Sequence, residues 1–302
     1  MAHGGSTKLI LLSLGANAGI ALAKTVAAVI THSGAMLAEA LHSFSDCANQ
    51  LLLLVGNKQA QRPPSEAFPL GQGRAAYFWS FVVALMLFFG GGMVAVWEGV
   101  EKVRHPEAVH HVSVALAVLV FSLALEGFSL AACVKSVREA SEGRGFVQTL
   151  RETKDADLVV VTGENLAAVL GLSLALVFLL IAWKTGNGLW DGVGSIAIGV
   201  VLVGVAVFLA KESQSLLLGE RAEPAVEAAV REALAEDARL GPLMRLLSIQ
   251  QGPGEVVLAM KIGARPELSA AELIAAMNAF EQRVRAKRPE VKWQFVEPDS
   301  ED

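Results

Sequence analysis

Ala38-Glu39-Ala40-Leu41-His42-Ser43-Phe44-Ser45-Asp46 places two carboxylates and an imidazole inside a hydrophobic segment long enough to cross a membrane. On a helix, His42 and Asp46 are four residues apart and stack on one face. Asn49 continues the same stripe. A charge within a lipid-spanning helix is expensive and marks an ion pathway. An imidazole and a carboxylate together suit a borderline divalent ion such as Zn²⁺. The stretch therefore reads as half of a binding site for a transported metal.

The composition agrees with a multi-span membrane protein. The 302-residue chain is 53% hydrophobic and 18% charged, with a mean hydropathy of +0.49. Soluble domains carry about 25% charged residues. A net charge of -5 gives no footprint for nucleic acid. Cys47 and Cys133 both fall in apolar segments and read as small buried hydrophobes, not as a disulfide framework. No nucleophile–base constellation or phosphate loop points to a conventional enzyme. No prosthetic group is expected; the ions implied are a transported divalent cation and H⁺.

Six segments have the length and apolar character of spans. They cover about Lys8–Ile30, Ala35–Lys58, Ala75–Val100, Val112–Val137, Leu158–Trp183 and Leu189–Ala210. The polar N-terminus Met1–Thr7 precedes a long apolar run without a clear small-residue cleavage site, so the first span reads as retained. Lys58, Arg62 and Arg74 lie between spans two and three. Lys135, Arg138, Arg144, Arg151 and Lys154 lie between spans four and five. The alternate loops are poorer in positive charge, so both termini are expected in the cytoplasm. A bacterial-type inner (plasma) membrane is the expected location.

Residues 1–210 form the expected transmembrane transport domain, and 211–302 a soluble module. Pro224–Asp237 reads as an amphipathic helix. Leu243–Gln250 and Glu255–Ile262 read as strands joined by a Gly-Pro-Gly turn. Ser269 and Glu272 form a capping box for a helix running to about Lys287, and Val291–Val296 alternates as a last strand. This order fits a small α+β sandwich with its helices on one face.

The fifth span contributes Gly163-Glu164-Asn165. Spans two and five are expected to face each other, with His42, Asp46 and Glu164 as ligands and the Asn165 oxygen, or a water, completing four-coordination. Ser45, Asn49, Glu39, Glu126 and Asp191 are candidates to support the ligands or carry protons. Glu126 relays protons or pairs with a lysine. Asp191, close after Gly188, has the further reading of a helix cap. Asn17 reads as an interhelical hydrogen-bonding group. Glu98 and Glu101 read as a solvated rim beside Lys102 and Arg104.

These motifs resemble the cation diffusion facilitator family over nearly the whole chain. The resemblance rests on Leu41-His42-Ser43-Phe44-Ser45-Asp46 through Asn49, and on Pro69-Leu70-Gly71-Gln72-Gly73-Arg74 before Tyr77-Phe78-Trp79. It rests equally on Glu101-Lys102-Val103-Arg104-His105-Pro106 and on Ser215-Leu216-Leu217-Leu218-Gly219-Glu220. It implies a homodimer that moves Zn²⁺ or a similar ion out of the cytosol in exchange for protons, by alternating access. It also implies a cytoplasmic ferredoxin-like domain (residues 211–302) that mediates dimerisation, and a charge interlock between Arg74 and Glu220, with a plain positive-inside anchor as the other reading of Arg74.

The chain departs from the family pattern in three places. The span-five pair maps to Val161 and Asn165, and Glu164-Asn165 stands where one branch has Glu-Asp. Phe68 and Gln72 occupy positions where many members carry histidines, so no second site is expected there. Every histidine lies at or before His111, and Asp237, Glu297 and Asp299 read as surface charges. Mn²⁺, Fe²⁺ or Co²⁺ are alternative cargoes for so carboxylate-rich a site. A membrane-anchored metal sensor or interaction protein and a channel are rival readings of other classes.

Overall fold

The computed structural model describes residues 3–107, 109, 111–139, 141 and 145–299. Met1, Ala2 and Arg144, used above to read the N-terminus and a basic loop, lie outside them. Their neighbours fold into two compact units. One gathers Met1–Val55, Trp79–Leu150 and Asp157–Glu212; the other gathers Gly56–Phe78, Arg151–Ala156 and Ser213–Asp302. The second unit is thus not a simple C-terminal piece.

The first unit is helical. Its elements are α1 (His3–Thr31), α2 (Gly34–Ala60), α3 (Ala75–Met86), α4 (Val94–Arg104), α5 (Val112–Glu139), α6 (Phe146–Glu152), α7 (Ala156–Thr185) and α8 (Leu189–Leu218), some of which run on into the second. Among the described residues, four stretches are long and apolar enough to cross a membrane: Ala75–Arg104, Val112–Glu139, Ala156–Thr185 and Leu189–Leu218. Helices α1 and α2 are as long, at 29 and 27 residues. In α2 the polar stripe dilutes the apolar character. Helix α1 is helical from His3, earlier than its hydropathy suggests, and α8 continues to Leu218, eight residues past the apolar run ending at Ala210.

Two features of this unit were not visible in the periodicity. Residues Leu87–Met93, with Gly90-Gly91-Gly92, form a π-helical segment joining α3 to α4. Such widened turns recur at functional sites. The second feature is a backbone-to-backbone seam between this stretch and α8. A Cβ on Gly99 would stand 2.7 Å from the Gly192 carbonyl oxygen, and one on Gly199 would stand 2.8 Å from that of Gly92. Gly92 and Gly99 are seven residues apart, as are Gly192 and Gly199, about two helical turns, so each pair falls on one face of its helix. Small residues at such a face let two backbones close together.

The second unit contains α9 (Pro224–Ala235), β1 (Leu240–Gly252), β2 (Glu255–Ala264), α10 (Ala270–Lys287) and β3 (Val291–Pro298). The sheet order is β1-β2-β3, with β1 antiparallel and β3 parallel to β2. Gly254, at φ +67°, makes the turn between β1 and β2. Ser269 caps α10, and Glu272 reciprocates. Alternate residues Val256, Leu258, Met260 and Ile262 of β2 are buried with Val230, Phe280 and Val284 from the helices. The period-two pattern of the strand and the helical pattern around it therefore share one core.

Candidate functional site

Glu39, His42, Asp46 and Asn49 follow one another along α2 at steps of three, four and three, which keeps them on one face. Glu39, His42 and Asn49 are fully buried, and the Asp46 side chain is 16% exposed. His42 Nδ1 lies 3.6 Å from Asp46 Oδ1, too far for a hydrogen bond. Both nitrogens of His42 and Oδ1 of Asp46 are buried without a hydrogen-bond partner. So are Oε1 of Glu39 and Oδ1 of Asn49. Each buried group left unsatisfied costs about 1–3 kcal/mol, so this concentration on one helix face calls for a reason other than stability.

Helix α7 meets α2 here. Asn49 Nδ2 donates to Glu164 Oε1 at 2.6 Å. Asp46, Glu164 and Asn165 border a cavity of about 190 Å³ with Asn17, Gln50 and Glu126. A water occupies about 30 Å³ in the liquid, so the cavity has room for a few waters or a partly hydrated ion. Asn165 Nδ2 donates to the Val161 carbonyl at 2.7 Å and approaches Cys133 Sγ at 3.6 Å. Asn17, expected as an interhelical hydrogen-bonding group, lines the cavity.

The structure thus brings His42, Asp46, Glu164 and Asn165 to one place without closing them into a ligand set. Among the described residues, no three His, Cys, Asp or Glu side chains are grouped to hold a metal ion. Asn49 engages one oxygen of Glu164. Val161, which the family resemblance places at a ligand position, brings no donor side chain. Ser45 donates back to the Leu41 carbonyl of its own helix at 3.0 Å.

Other expected residues sit elsewhere. Asp191 does not cap its own helix with its side chain; it caps α2. Its Oδ1 accepts from Ser33 Oγ at 2.6 Å, Oδ2 accepts from the Gly34 N–H, and Lys102 Nζ lies 3.1 Å from Oδ2. Lys102 also donates to the His32 carbonyl. His42 is eight residues further along α2, about 12 Å, so Asp191 is separate from the cavity. Lys102, read above as part of a solvated rim, is only 13% exposed and belongs to this cap.

The expected pairing of Arg74 with Glu220 is replaced by another. Glu220 Oε1 lies 2.6 Å from Lys154 Nζ, while Arg74 Nη1 donates to the Leu217 carbonyl at 3.4 Å. Gly219 explains the difference: at φ +92° it turns the chain after α8, and a Cβ there would stand 3.0 Å from Arg74 Nη2. The guanidinium packs over the turn, against the terminal carbonyls of α8. Phe68 is half exposed, and Gln72 accepts from Gln59 at 3.3 Å. Asp237 pairs with Arg239 and Arg283, and Asp299 with Lys261. The Arg239 hydrogen bonds hold the Asp237 carboxyl well below its usual range.

Lys24 of α1 was missed in the reading from sequence. It is fully buried, with Nζ 3.2 Å from Glu39 Oε2 and donating to Ser43 Oγ at 2.8 Å. A lone lysine inside an apolar span was the available signal, since an ionisable group at that depth needs a partner.

Residues 10–218 match the sequence profile of the cation efflux transmembrane domain. The mitochondrial proton-coupled zinc antiporter SLC30A9 of Xenopus laevis is 30% identical over 254 residues, which cover 83% of this chain and 45% of that protein. Its Homo sapiens counterpart is 29% identical over the same length. Metal tolerance protein C4 of Arabidopsis thaliana is 31% identical over 224 residues, 74% of this chain and 49% of that protein. The chain spans about half the length of these relatives.

Proposed function

We propose that this chain, which belongs to the cation diffusion facilitator family, is a secondary transporter that exports a divalent metal from the cytosol in exchange for protons. Zn²⁺ is the first cargo. The observation that carries the reading is the set of unsatisfied donors on α2 beside the cavity: both nitrogens of His42 and one oxygen of Asp46. These are the atoms that a borderline cation accepts. The names of the relatives, a zinc antiporter and a metal tolerance protein, support the same class.

The chemistry follows from the donors. A ligating histidine must be neutral and a ligating carboxylate ionised, so metal and protons compete for His42, Asp46 and Glu164. Competition for one site, with access alternating between the two sides, gives antiport without a separate proton wire. Asn49 holds one carboxylate oxygen of Glu164. Metal entry releases Glu164 from Asn49 and draws it toward Asp46, with Asn165 or a water as the remaining ligand. Glu126, facing the same cavity, is placed to take up the displaced proton.

The same proposal includes six spans, formed by α1, α2, the stretch from α3 to α4, α5, α7 and α8. Residues 211–302, taken as ferredoxin-like, serve as a cytoplasmic dimerisation domain in a homodimer. A bacterial-type inner membrane with both termini cytoplasmic is the proposed setting, and a mitochondrial one is the alternative that the names of the relatives suggest. Localisation of a fluorescent fusion distinguishes the two.

Proteoliposomes test the function directly. Zn²⁺ gradients are expected to drive proton movement that Asp46→Ala abolishes while the protein stays folded. Full activity in Asp46→Ala would remove the site assignment. The oxygen-rich cavity lining, with a single imidazole beside it, favours a second cargo class. Flux with Mn²⁺, Fe²⁺ or Co²⁺ but not Zn²⁺ would keep the mechanism and change the ion. Metal flux without proton flux would indicate a channel, and no flux with any metal would indicate a sensor.

A further inference from the structure

Lys24 and Glu39 form a buried pair on the α1-facing side of the α2 stripe. The lysine ammonium is held between Glu39 and Ser43, which lie on either side of His42 in sequence. Only Oε2 of Glu39 is engaged. Oε1 is buried without a hydrogen-bond partner and lies against α7, where a Cβ on Gly171 would stand 2.5 Å from it. Glu39 and His42 are three residues apart on one helix face, and both His42 nitrogens are unengaged. Unsatisfied oxygen and nitrogen donors therefore stand side by side, with a fixed positive charge beside them.

From this geometry we propose that Lys24 is a resident counter-ion that keeps Glu39 out of the cargo's ligand set. The inference rests on the reading that His42 and Asp46 bind the transported metal. A divalent ion there is attracted by any free carboxylate within reach, and Glu39 is the next one along α2. The ammonium neutralises that carboxylate, occupies one of its oxygens and repels a second cation. The ion is thereby confined to the side of Asp46, where the cavity lies. A transporter must release its cargo, and another ionised ligand would deepen the binding well without helping exit. Lys24 is accordingly a positioning residue: it sets how tightly the ion is held without touching it.

The test is equilibrium Co²⁺ binding to the purified full-length protein, read by its ligand-field absorption, beside Zn²⁺ flux in proteoliposomes. Lys24→Met is expected to tighten binding on the order of tenfold and to alter the absorption spectrum. Its half-saturating Zn²⁺ concentration and its maximal rate are both expected to fall. Adding Glu39→Gln to Lys24→Met is expected to reverse all four changes, and Lys24→Arg to behave as the unaltered protein. A lysine with a merely structural role would lower the yield of folded protein but would not tighten binding. Unchanged or weaker binding in Lys24→Met, with an Asp46-dependent spectrum intact, overturns the inference alone. Absence of Asp46-dependent binding in the unaltered protein overturns the proposed function and this inference with it. If Lys24→Met does not fold, the neutral double variant decides. Binding like that of the unaltered protein supports the inference, and a tenfold loss shows Glu39 to be a ligand and overturns it.

Discussion

Replacing Asp191 tests whether the N-terminus of α2 is held by one carboxylate. Asp191 is fully buried and accepts from Ser33 Oγ and the Gly34 N–H, while Lys102 lies 3.1 Å from it. At an effective dielectric of about 20, two unit charges at that separation attract by about 5 kcal/mol, much of it offset by desolvation. Hydrogen bonds to a charged acceptor contribute about 1.5–3 kcal/mol each. Asp191→Ala loses these two bonds and a longer one from the Ala35 N–H at 3.4 Å, and leaves a mostly buried ammonium without its counter-charge, for an expected cost of about 4 kcal/mol. Asp191→Asn keeps an acceptor and is expected to cost about half as much. Lys102→Met leaves the donors of α2 in place and is expected to cost about 1–2 kcal/mol. Thermal unfolding of the full chain in detergent ranks the three variants, and the Asp191→Ala/Lys102→Met double completes the cycle. The double is expected to cost less than the sum of the singles by more than about 1 kcal/mol, because no stranded charge remains. Additive costs, or an Asp191→Ala protein as stable as the unaltered one, would refute the shared-cap argument.

Three further outcomes follow from geometry on other faces. Gly99→Ala places a methyl 2.7 Å from the Gly192 carbonyl and is expected to cost about 1–3 kcal/mol in melting experiments. Gly127→Ala, with nothing within 4 Å, is expected to be neutral or stabilising; equal effects would deny the seam. Asp237 has a carboxyl pKa lowered in the folded state by Arg239, so its stabilisation is fully present above the unfolded value near about 4 and is lost as pH falls below it. Asp237→Asn should therefore destabilise the full chain more at pH 7 than at pH 2, and an equal loss at both would contradict the pairing. Finally, Lys154→Glu and Glu220→Lys are each expected to destabilise, with their combination restoring on the order of 1 kcal/mol. No such coupling is expected between Arg74 and Glu220, and finding it there would reverse the assignment.

Much of this protein is written in local patterns. Runs of apolar residues located the long helices because hydrophobic length is a property of the segment alone. The capping box at Ser269 and the alternation in Glu255–Ile262 identified α10 and β2 for the same reason. The stripe of His42, Asp46 and Asn49 needed only the helical period, and the family follows from its motifs and from the match over residues 10–218. The packing decided what depends on distant partners. No local rule tells that Lys24 reaches Glu39, that Asp191 caps α2, or that Lys154 takes the place beside Glu220 expected for Arg74. The glycines of α4 and α8 acquire a role only when two backbones meet. Single-chain periodicity says which face a residue occupies. Which charge or carbonyl stands opposite is fixed by the tertiary contacts, because buried polar groups are stabilised by whatever donor or acceptor the fold brings within about 3 Å.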